Sequence, residues 1–174
     1  MARFYARHPL SKKEKRKLAA RLVASLGHEA GRAVREAERV EIARTREGVV
    51  LYYVDGVPLF IETQDKLMPT ILGAATGVCK LPKVSVDDGA VPHIVNGADV
   101  MVPGIVKVEG EFTEGSLVIV VDLKGRVVAI GQALMASDVV LRSRKGRAIR
   151  NLHYAGDKLW RTYFERRFLR MLEG

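Results

Sequence analysis

The first part of the chain has the apolar spacing of a helix. Leucine recurs at every fourth position over Leu18–Leu26, and basic residues occupy much of the remaining surface. Ser11–Glu14 has the form of a capping box, in which the serine hydroxyl and the glutamate carboxylate each accept a backbone amide. These features predict an amphipathic helix that ends at Gly27, and a weaker period predicts a second helix over 28–37.

The apolar pattern changes to a period of two after the predicted helices. Val40–Arg44, Val49–Val54 and Val57–Ile61 are short segments rich in residues that favour strands. Asp55-Gly56, between the last two segments, favours a two-residue hairpin turn. A short helix is predicted over Leu67–Ala75. We therefore expect a three-stranded meander preceded by helices.

The second part of the chain has many short segments of strand character. Asp87 is placed to cap a short helix that ends at Asn96-Gly97, and Pro103-Gly104 predicts a tight turn. Ser137 is predicted to cap a small helical turn. The predicted strands are Val84–Val86, Val100–Val102, Gly115–Val121, Arg126–Leu134 and Ile149–Tyr154. Because no βαβ alternation is present, the sequence predicts an α+β protein whose second half is a small closed or half-closed barrel.

A domain boundary is predicted near Leu81-Pro82, where a proline interrupts the chain and the apolar pattern changes. We expect a helix-plus-antiparallel-sheet domain over residues 1–82 and a barrel-like domain over residues 83–163. Residues 164–174 are predicted to form a basic C-terminal tail.

The composition is that of a globular protein. Apolar residues make up 48% of the 174 residues, and the longest strongly apolar run, Gly115–Val121, is far shorter than a membrane span. The amino terminus lacks the apolar segment of a secretory signal, and the one cysteine, Cys79, excludes an internal disulfide. We therefore expect a cytoplasmic protein.

The charge is distributed unevenly. Residues 1–46, 47–139 and 140–174 carry net charges of +8, −6 and +7, and the chain has 18 Arg against 11 Lys. Two basic ends favour a surface that meets nucleic-acid phosphates, which guanidinium groups bind in a bidentate manner. The alternative is a set of solvated faces in a thermophile-like composition, since the chain has only two Asn and two Gln.

No catalytic constellation is present in the sequence. His28-Glu29 begins like a zinc-protease helix, but Arg32 stands where the second histidine ligand would be. Gly73–Lys80 lacks the spacing of a phosphate-binding loop, and Cys79 fits a small buried residue better than a nucleophile. The sequence therefore predicts a non-catalytic protein without a metal site or cofactor.

The second half contains a set of short motifs that resembles the PUA domain, the RNA-binding module named for pseudouridine synthases and archaeosine transglycosylases. The ending is similar to that of the malignant-T-cell-amplified-sequence proteins and their archaeal relatives, in which a small domain precedes the PUA domain. The motifs are Val86–Ala90, Asn96–Gly104, Val128–Gly131, Met135–Asp138, Lys145–Ile149, Asn151–Tyr154 and Gly156–Trp160. The resemblance implies a PUA-type pseudobarrel with short helices after a pre-PUA α+β domain.

The resemblance also implies an RNA groove between the first helix, with the strand after it, and the last strand. Residues placed in this groove would be Gly89, Ala90, His93, Asn96, Gly97, Met101, Pro103 and Gly104, facing Arg150, Asn151 and His153, with Lys145 and Arg147 at the rim. Met101 and His153 would offer surfaces for stacked bases, whereas Trp160 would be structural. The alternative is that Met101 and His153 belong to the core and that the glycines only permit turns.

The function that the resemblance implies is non-catalytic RNA binding in translation initiation, reinitiation or recycling. The RNA would be the acceptor end of tRNA or small-subunit ribosomal RNA, and a partner translation factor would act in trans on a monomer. A second basic surface at Lys12, Lys13, Arg16 and Arg21 would contact ribosomal RNA or the partner. An accessory subunit of an RNA-modifying enzyme is the alternative that the sequence leaves open.

Overall fold

The computed structural model describes residues 4–64 and 66–164, and the chain divides into two compact units, Met1–Lys80 and Leu81–Gly174. The first unit contains β1 (Phe4–Pro9), α1 (Lys12–Leu26), α2 (His28–Glu36), β2 (Val40–Thr45), β3 (Val50–Val54), β4 (Val57–Thr63), β5 (Lys66–Pro69) and α3 (Ile71–Ala75). Its strands form one antiparallel sheet in the order β1-β2-β3-β4-β5.

The helices of the first unit follow their sequence signals. The Ser11 hydroxyl accepts the Glu14 amide at 3.2 Å, and the Glu14 carboxylate accepts the Ser11 amide at 2.8 Å, as the capping box predicts. α1 ends at Gly27, whose φ of 98° suits glycine. Leu18, Leu22 and Leu26 are buried, so the leucine spacing marked the core face. The segment after Gly27, which has a weaker apolar period, also forms a helix, α2.

The first sheet is larger than the sequence predicted. β2, β3 and β4 form the expected meander, and Asp55 and Gly56 both have positive φ in the predicted hairpin turn. The helix predicted over Leu67–Ala75 is wrong in its first half, because Leu67–Pro69 pairs with β4. Pro69 disfavours the helical conformation at the residue before it, and Thr70 then caps α3 by accepting the Gly73 amide at 2.9 Å.

The second unit is a curled six-stranded sheet with short helices. Its elements are β6 (Lys83–Val86), α4 (Val91–Ile94), β7 (Val100–Met101), a 3-10 turn (Val102–Gly104), β8 (Ile105–Glu109), β9 (Leu117–Val121), β10 (Val127–Ala133), α5 (Ser137–Arg142), β11 (Arg147–Tyr154) and a π-helical turn (Trp160–Phe164). The strand order is β7-β11-β10-β9-β6-β8, and only the β6–β9 pair among these neighbours is parallel.

The core of the second unit lies inside the curled sheet. Val84, Val120, Ala129 and Ile149 are fully buried there, one from each of four strands. Gly131 coincides with a register shift between β10 and β11, where an added Cβ would lie 2.8 Å from the Arg150 carbonyl oxygen. The α+β class and the barrel-like second half are thus confirmed.

The second unit differs from the sequence expectation at two places. β8 was not predicted, although it pairs with β6 along most of its length. Ser137 does not cap α5: the N-cap residue is Ala136, and the buried Ser137 hydroxyl accepts the Phe112 amide at 3.1 Å. Of the predicted tail, residues 165–174 lie outside the described part of the chain. Within the described residues, no helix combines the length and the apolar character of a membrane span.

Candidate nucleic-acid interface

The start of the site is set by a polar turn after β6. The Asp87 carboxylate accepts the Ala90 amide at 2.8 Å, which turns the chain directly into α4. The turn after α4 closes at Gly97, whose φ of 97° would strain any other residue, and whose missing Cβ leaves room for the Tyr154 ring. The helix therefore lies against β11, with the short strand β7 following it.

A groove of about 560 Å³ opens beside α4. Its walls are mostly apolar, and its polar groups are confined to a few side chains. The lining residues are Asp87, Gly89, Ala90, His93, Ile94, Ala98, Asp99, Val100, Met101, Pro103, Gly104 and Arg147. Met101 is 46% exposed, so its thioether side chain is available to a ligand. Such a surface suits the flat face of an unpaired base.

The charged part of the groove is an ion pair between β11 and the residue that precedes β7. Arg147 Nη2 lies 3.1 Å from Asp99 Oδ2, and the Asp99 side chain also accepts the Asn151 amide at 2.9 Å. The Arg147 side chain remains 59% exposed, so the ion pair holds it at the groove without removing it from solvent. A guanidinium in this position can exchange one carboxylate contact for a phosphate contact.

Asn151 holds the groove together rather than lining it. Its side-chain amide donates to the carbonyl oxygens of Ile94 and Ala98, each at 3.0 Å. These two bonds fix the end of α4 and the loop after it to β11. Asn151 is therefore a positioning residue for the groove wall.

About half of the residues that the resemblance placed in the groove line it in the structure. Seven predicted residues line it, namely Gly89, Ala90, His93, Met101, Pro103, Gly104 and Arg147. Asn96, Lys145 and Arg150 are exposed but lie outside its lining, and the Asn96 side chain donates to the Pro92 carbonyl oxygen at 2.8 Å. Gly97 contributes through the turn that it permits.

The sequence interpretation missed two carboxylates in the groove. Asp87 and Asp99 both line it, although they stand inside the quoted motifs. An expectation built on phosphate binding gives no reason to choose acidic residues. Asp87 and Asp99 could have been found by a chemical argument: base amino groups and ribose hydroxyls donate hydrogen bonds, so an RNA site needs acceptors opposite them.

The predicted role of His153 as a base-stacking surface is wrong. His153 is completely buried, and its Nδ1 atom lies 2.6 Å from Asp157 Oδ2. The Phe164 ring contacts it edge-on, with 5.8 Å between ring centroids. Burial alone raises the pKa of Asp157, but bonds from His153 and from the Trp160 and Tyr154 amides outweigh it and hold that pKa below its ordinary value. His153 therefore closes the end of β11 and offers no surface to RNA.

The second basic surface lies on α1 of the first unit. Lys12, Lys13 and Arg16 are exposed there. Arg21 is different, because its guanidinium forms an ion pair with Glu62, which also accepts the Tyr52 hydroxyl at 2.7 Å. The bond from Arg21 is the main cause of a lowered Glu62 pKa, while burial and the bond to Glu62 raise the pKa of Tyr52 to about 12.

Two other residues singled out in the sequence belong to neither surface. Cys79 is buried, which raises the pKa of its thiol to about 12 and leaves it protonated at neutral pH. Trp160 is half-buried and contacts Phe164 edge-on, with 6.2 Å between centroids. Over residues 4–64 and 66–164, no group of three or more His, Cys, Asp or Glu side chains is arranged to hold a metal ion.

The curled sheet with a groove beside its first helix has the architecture of a PUA domain, the class of RNA-binding module that the sequence motifs resemble. Residues 82–155 match the family model of the PUA domain, and residues 6–73 match a model described as a domain of unknown function, DUF1947. The chain belongs to the family of two-domain PUA proteins, in which the smaller domain precedes the PUA domain. The predicted resemblance is thereby confirmed.

Relatives match along most of the chain. An uncharacterised protein of Methanocaldococcus jannaschii is 39% identical over 122 residues, which cover 70% of this chain and 75% of its own. Translation machinery-associated protein 20 of Saccharomyces cerevisiae is 29% identical over 70% of this chain and 71% of its own. The solved structure of a conserved PUA domain protein from Thermoplasma acidophilum has a TM-score of 0.76 at 30% identity, covering 91% and 99% of the two chains.

A match to a named enzyme covers a shorter stretch. Probable tRNA pseudouridine synthase B of Thermococcus onnurineus is 48% identical over 69 residues, which are 40% of this chain and 21% of the enzyme. That stretch has about the length of the PUA match. The two relatives above, which match over 70% of the chain, carry no enzyme name.

Proposed function

We propose that this protein binds the unpaired 3′ end of a tRNA acceptor stem in the groove beside α4 and acts in translation initiation, reinitiation or recycling. The observation that carries the proposal is the combination of apolar walls with one exposed guanidinium at Arg147. An unpaired nucleotide needs both features, since its base stacks or packs while its phosphate requires a cation.

The polar groups of the groove fit the same ligand. Asp87 and Asp99 can accept hydrogen bonds from base amino groups or from the 2′-hydroxyl that distinguishes RNA from DNA. Groove size also favours unpaired nucleotides, because 560 Å³ is within the range of about 300–1,000 Å³ typical of sites for small organic ligands. A duplex would instead require an extended surface.

Translation is the favoured setting because a relative that matches over most of the chain is named translation machinery-associated protein 20. In this proposal the protein is a cytoplasmic monomer that meets the small ribosomal subunit together with a translation factor in trans. The match to tRNA pseudouridine synthase B favours a second candidate, an accessory subunit of an RNA-modifying enzyme. Both candidates use the same groove and differ in their partner.

The first test is binding of purified tRNA with its terminal CCA intact or removed, across a salt series. We expect removal of the CCA to weaken binding at least tenfold, because the loss of even one stacked base costs about 1–3 kcal/mol and about 1.4 kcal/mol is a factor of ten. The blunt acceptor duplex is the matched control and should bind like the truncated tRNA. Equal and strongly salt-dependent binding of intact and truncated tRNA would leave only a basic surface and contradict the proposal.

A charge reversal on α1 tests the second surface. Lys12→Glu, Lys13→Glu and Arg16→Glu together should leave the affinity for a free acceptor stem within about twofold and weaken association with small ribosomal subunits at least tenfold. The three side chains are exposed, so the fold should be retained. Co-sedimentation with ribosomal subunits measures the second effect. Equal losses on both substrates would mean that α1 belongs to one continuous RNA site.

A further inference from the structure

The two carboxylates that line the RNA groove differ in how far the fold itself uses them. The Asp99 carboxylate is engaged on both oxygens: Oδ1 accepts the Asn151 amide at 2.9 Å, and Oδ2 lies 3.1 Å from Arg147 Nη2. The Asp87 carboxylate accepts one hydrogen bond, from the Ala90 amide to Oδ1 at 2.8 Å. Within the described part of the chain, no cation is paired with Asp87 and no group donates to its Oδ2 atom. This oxygen is therefore left for a ligand of the groove.

The groove is open beside Asp87 because its neighbours there have short side chains. Gly89, Ala90 and Gly104 line the groove with Asp87, and the Asp87 amide donates to the Gly104 carbonyl oxygen at 2.9 Å. A Cβ atom added to Gly104 would lie 2.9 Å from the Ala90 Cβ atom, so a larger residue does not fit there without a shift of the wall. A flat ring can therefore approach the Asp87 carboxylate closely.

Asp87 and Arg147 are attached to opposite ends of one short segment of the groove. Arg147 pairs with Met101 in the register of β11 and β7, whereas Asp87 is bonded to Gly104. The three residue steps from Met101 to Gly104 span at most about 10 Å. A nucleotide whose phosphate is bound by Arg147 can extend along this segment to Asp87. It would meet Asp87 with its base edge, because the ribose carries the phosphate directly and the base edge is the part furthest from it.

The chemistry of a carboxylate determines which base edge fits beside Asp87. An ionised carboxylate accepts hydrogen bonds and donates none, so an amino group satisfies it and a carbonyl oxygen is repelled. Adenine and cytosine carry an exocyclic amino group at the position where hypoxanthine and uracil carry a carbonyl oxygen. The same negative charge excludes a phosphate from this end of the groove.

We propose that Asp87 determines base specificity in the groove: its carboxylate accepts a hydrogen bond from the exocyclic amino group of an adenine or cytosine in the unpaired end. This inference rests on the proposed function, because it concerns the RNA bound in the same groove. It separates two tasks, phosphate binding by Arg147 and discrimination between amino and carbonyl bases by Asp87.

The test is fluorescence anisotropy of the full-length chain with an acceptor-stem hairpin that ends in an unpaired CCA. Each unpaired base is replaced in turn by one that lacks only the amino group, with purine riboside for adenosine and pyrimidin-2-one riboside for cytidine. At one of these positions we expect the affinity to fall about tenfold, because a hydrogen bond to a charged group is lost. Replacement of each ribose by 2′-deoxyribose separates a base contact from a ribose contact and should have a much smaller effect.

Asp87→Asn should reverse the base preference. The Asn Oδ1 atom still accepts the Ala90 amide, whereas its amino group donates where the carboxylate accepted. At the position found with the wild type, the variant should prefer inosine to adenosine, or uridine to cytidine, by about tenfold. Asp88→Asn is the matched control and should keep the wild-type preference, because Asp88 is exposed and does not line the groove. The two variants change the net charge equally, so the ratio of affinities isolates base recognition.

The outcomes distinguish this inference from the proposed function. If the CCA hairpin binds more tightly than its blunt duplex but no loss of an amino group weakens binding, the inference is wrong and the proposed function stands. The same holds if 2′-deoxyribose weakens binding as much as loss of the amino group, or if folded Asp87→Asn keeps the wild-type preference. Equal binding of the hairpin and the blunt duplex would overturn both. The base replacements use the wild-type chain, so they decide the question even if Asp87→Asn does not fold.

Discussion

Arg147→Glu is expected to lower the affinity for an intact tRNA acceptor end about tenfold to a hundredfold at low salt. The substitution removes the guanidinium from the groove and places a carboxylate beside Asp99, which lies 3.1 Å from Arg147 in the native ion pair. Loss of one phosphate-binding arginine costs about 1–3 kcal/mol, and repulsion between the new carboxylate and RNA phosphates adds to that loss. Filter binding or fluorescence anisotropy across a salt series measures the change.

Arg142→Glu is the matched control for this variant. Arg142 is also an exposed arginine paired with an aspartate, at 3.6 Å from Asp138, but it does not line the RNA groove. The two reversals change the net charge equally, so a much smaller effect at Arg142 separates a groove contact from the general field of the protein.

Alanine variants, which remove one charge without reversing it, test the RNA contact of Arg147 further. Arg147→Ala should reduce the slope of log affinity against log salt by about one, whereas Arg150→Ala should change it less, because Arg150 lies outside the groove lining. Equal effects of Arg147→Glu and Arg142→Glu, or an unchanged slope for Arg147→Ala, would remove Arg147 from the RNA-binding surface.

Local signals in the sequence were sufficient for most of the fold. The capping box at Ser11, the turn at Asp55-Gly56 and the turn that closes at Gly97 after α4 are each determined by contacts within a few residues. β8 depends instead on a partner distant in the chain, since Lys107 pairs with Ser85, whereas β5 pairs with β4 across a short turn, Met68 with Ile61. A distant pairing leaves little trace in short-range apolar spacing. Leu67–Pro69 was interpreted as part of a helix because it runs almost directly into α3.

The parts of the candidate site that are shaped by backbone turns could be predicted from the sequence. Gly89 and Pro103-Gly104 shape the groove through turns, and the family motifs identify them directly. His153 was assigned wrongly, because a sequence position on the last strand does not tell which face of that strand is buried once β10 and β11 shift register between Ile130 and Gly131. The shift and the carboxylate at Asp157 together account for the burial of the imidazole.

The acidic residues of the groove change how its selectivity should be understood. A groove built for phosphates alone would exclude Asp87 and Asp99, because unpaired carboxylates repel the RNA backbone. The Asp87 carboxylate accepts the Ala90 amide in the turn before α4. The Asp99 carboxylate forms the ion pair with Arg147 and accepts the Asn151 amide. The groove therefore has one exposed guanidinium among fixed acceptors, which favours ligands that offer base and ribose donors as well as phosphate.

Asp157→Ala is expected to lower the free energy of unfolding by about 3 kcal/mol without changing the RNA affinity of the folded protein. The side chain accepts bonds from His153 at 2.6 Å, from the Trp160 amide at 2.8 Å and from the Tyr154 amide at 3.1 Å. Its removal leaves the fully buried His153 without this partner, and buried pairs broken in this way typically cost about 3–5 kcal/mol when charged and about 1–3 kcal/mol when neutral. Urea unfolding followed by the fluorescence of Trp160, the one tryptophan of the chain, reports directly on this segment.

The Asp157 prediction can be tested further through the pH dependence of stability and through a control substitution at the surface. The pKa of Asp157 is lowered in the folded protein, so its stabilising contribution is complete above the ordinary aspartate pKa of about 3.9 and is lost as the pH falls through the lower folded value. The difference between the wild type and Asp157→Ala should therefore narrow below about pH 4. Asp138→Ala removes an exposed carboxylate and should cost less than about 0.5 kcal/mol at any pH. If Asp157→Ala is as stable as the wild type but has lost RNA binding, the prediction is wrong, and His153 and its neighbours contribute to the RNA-binding surface.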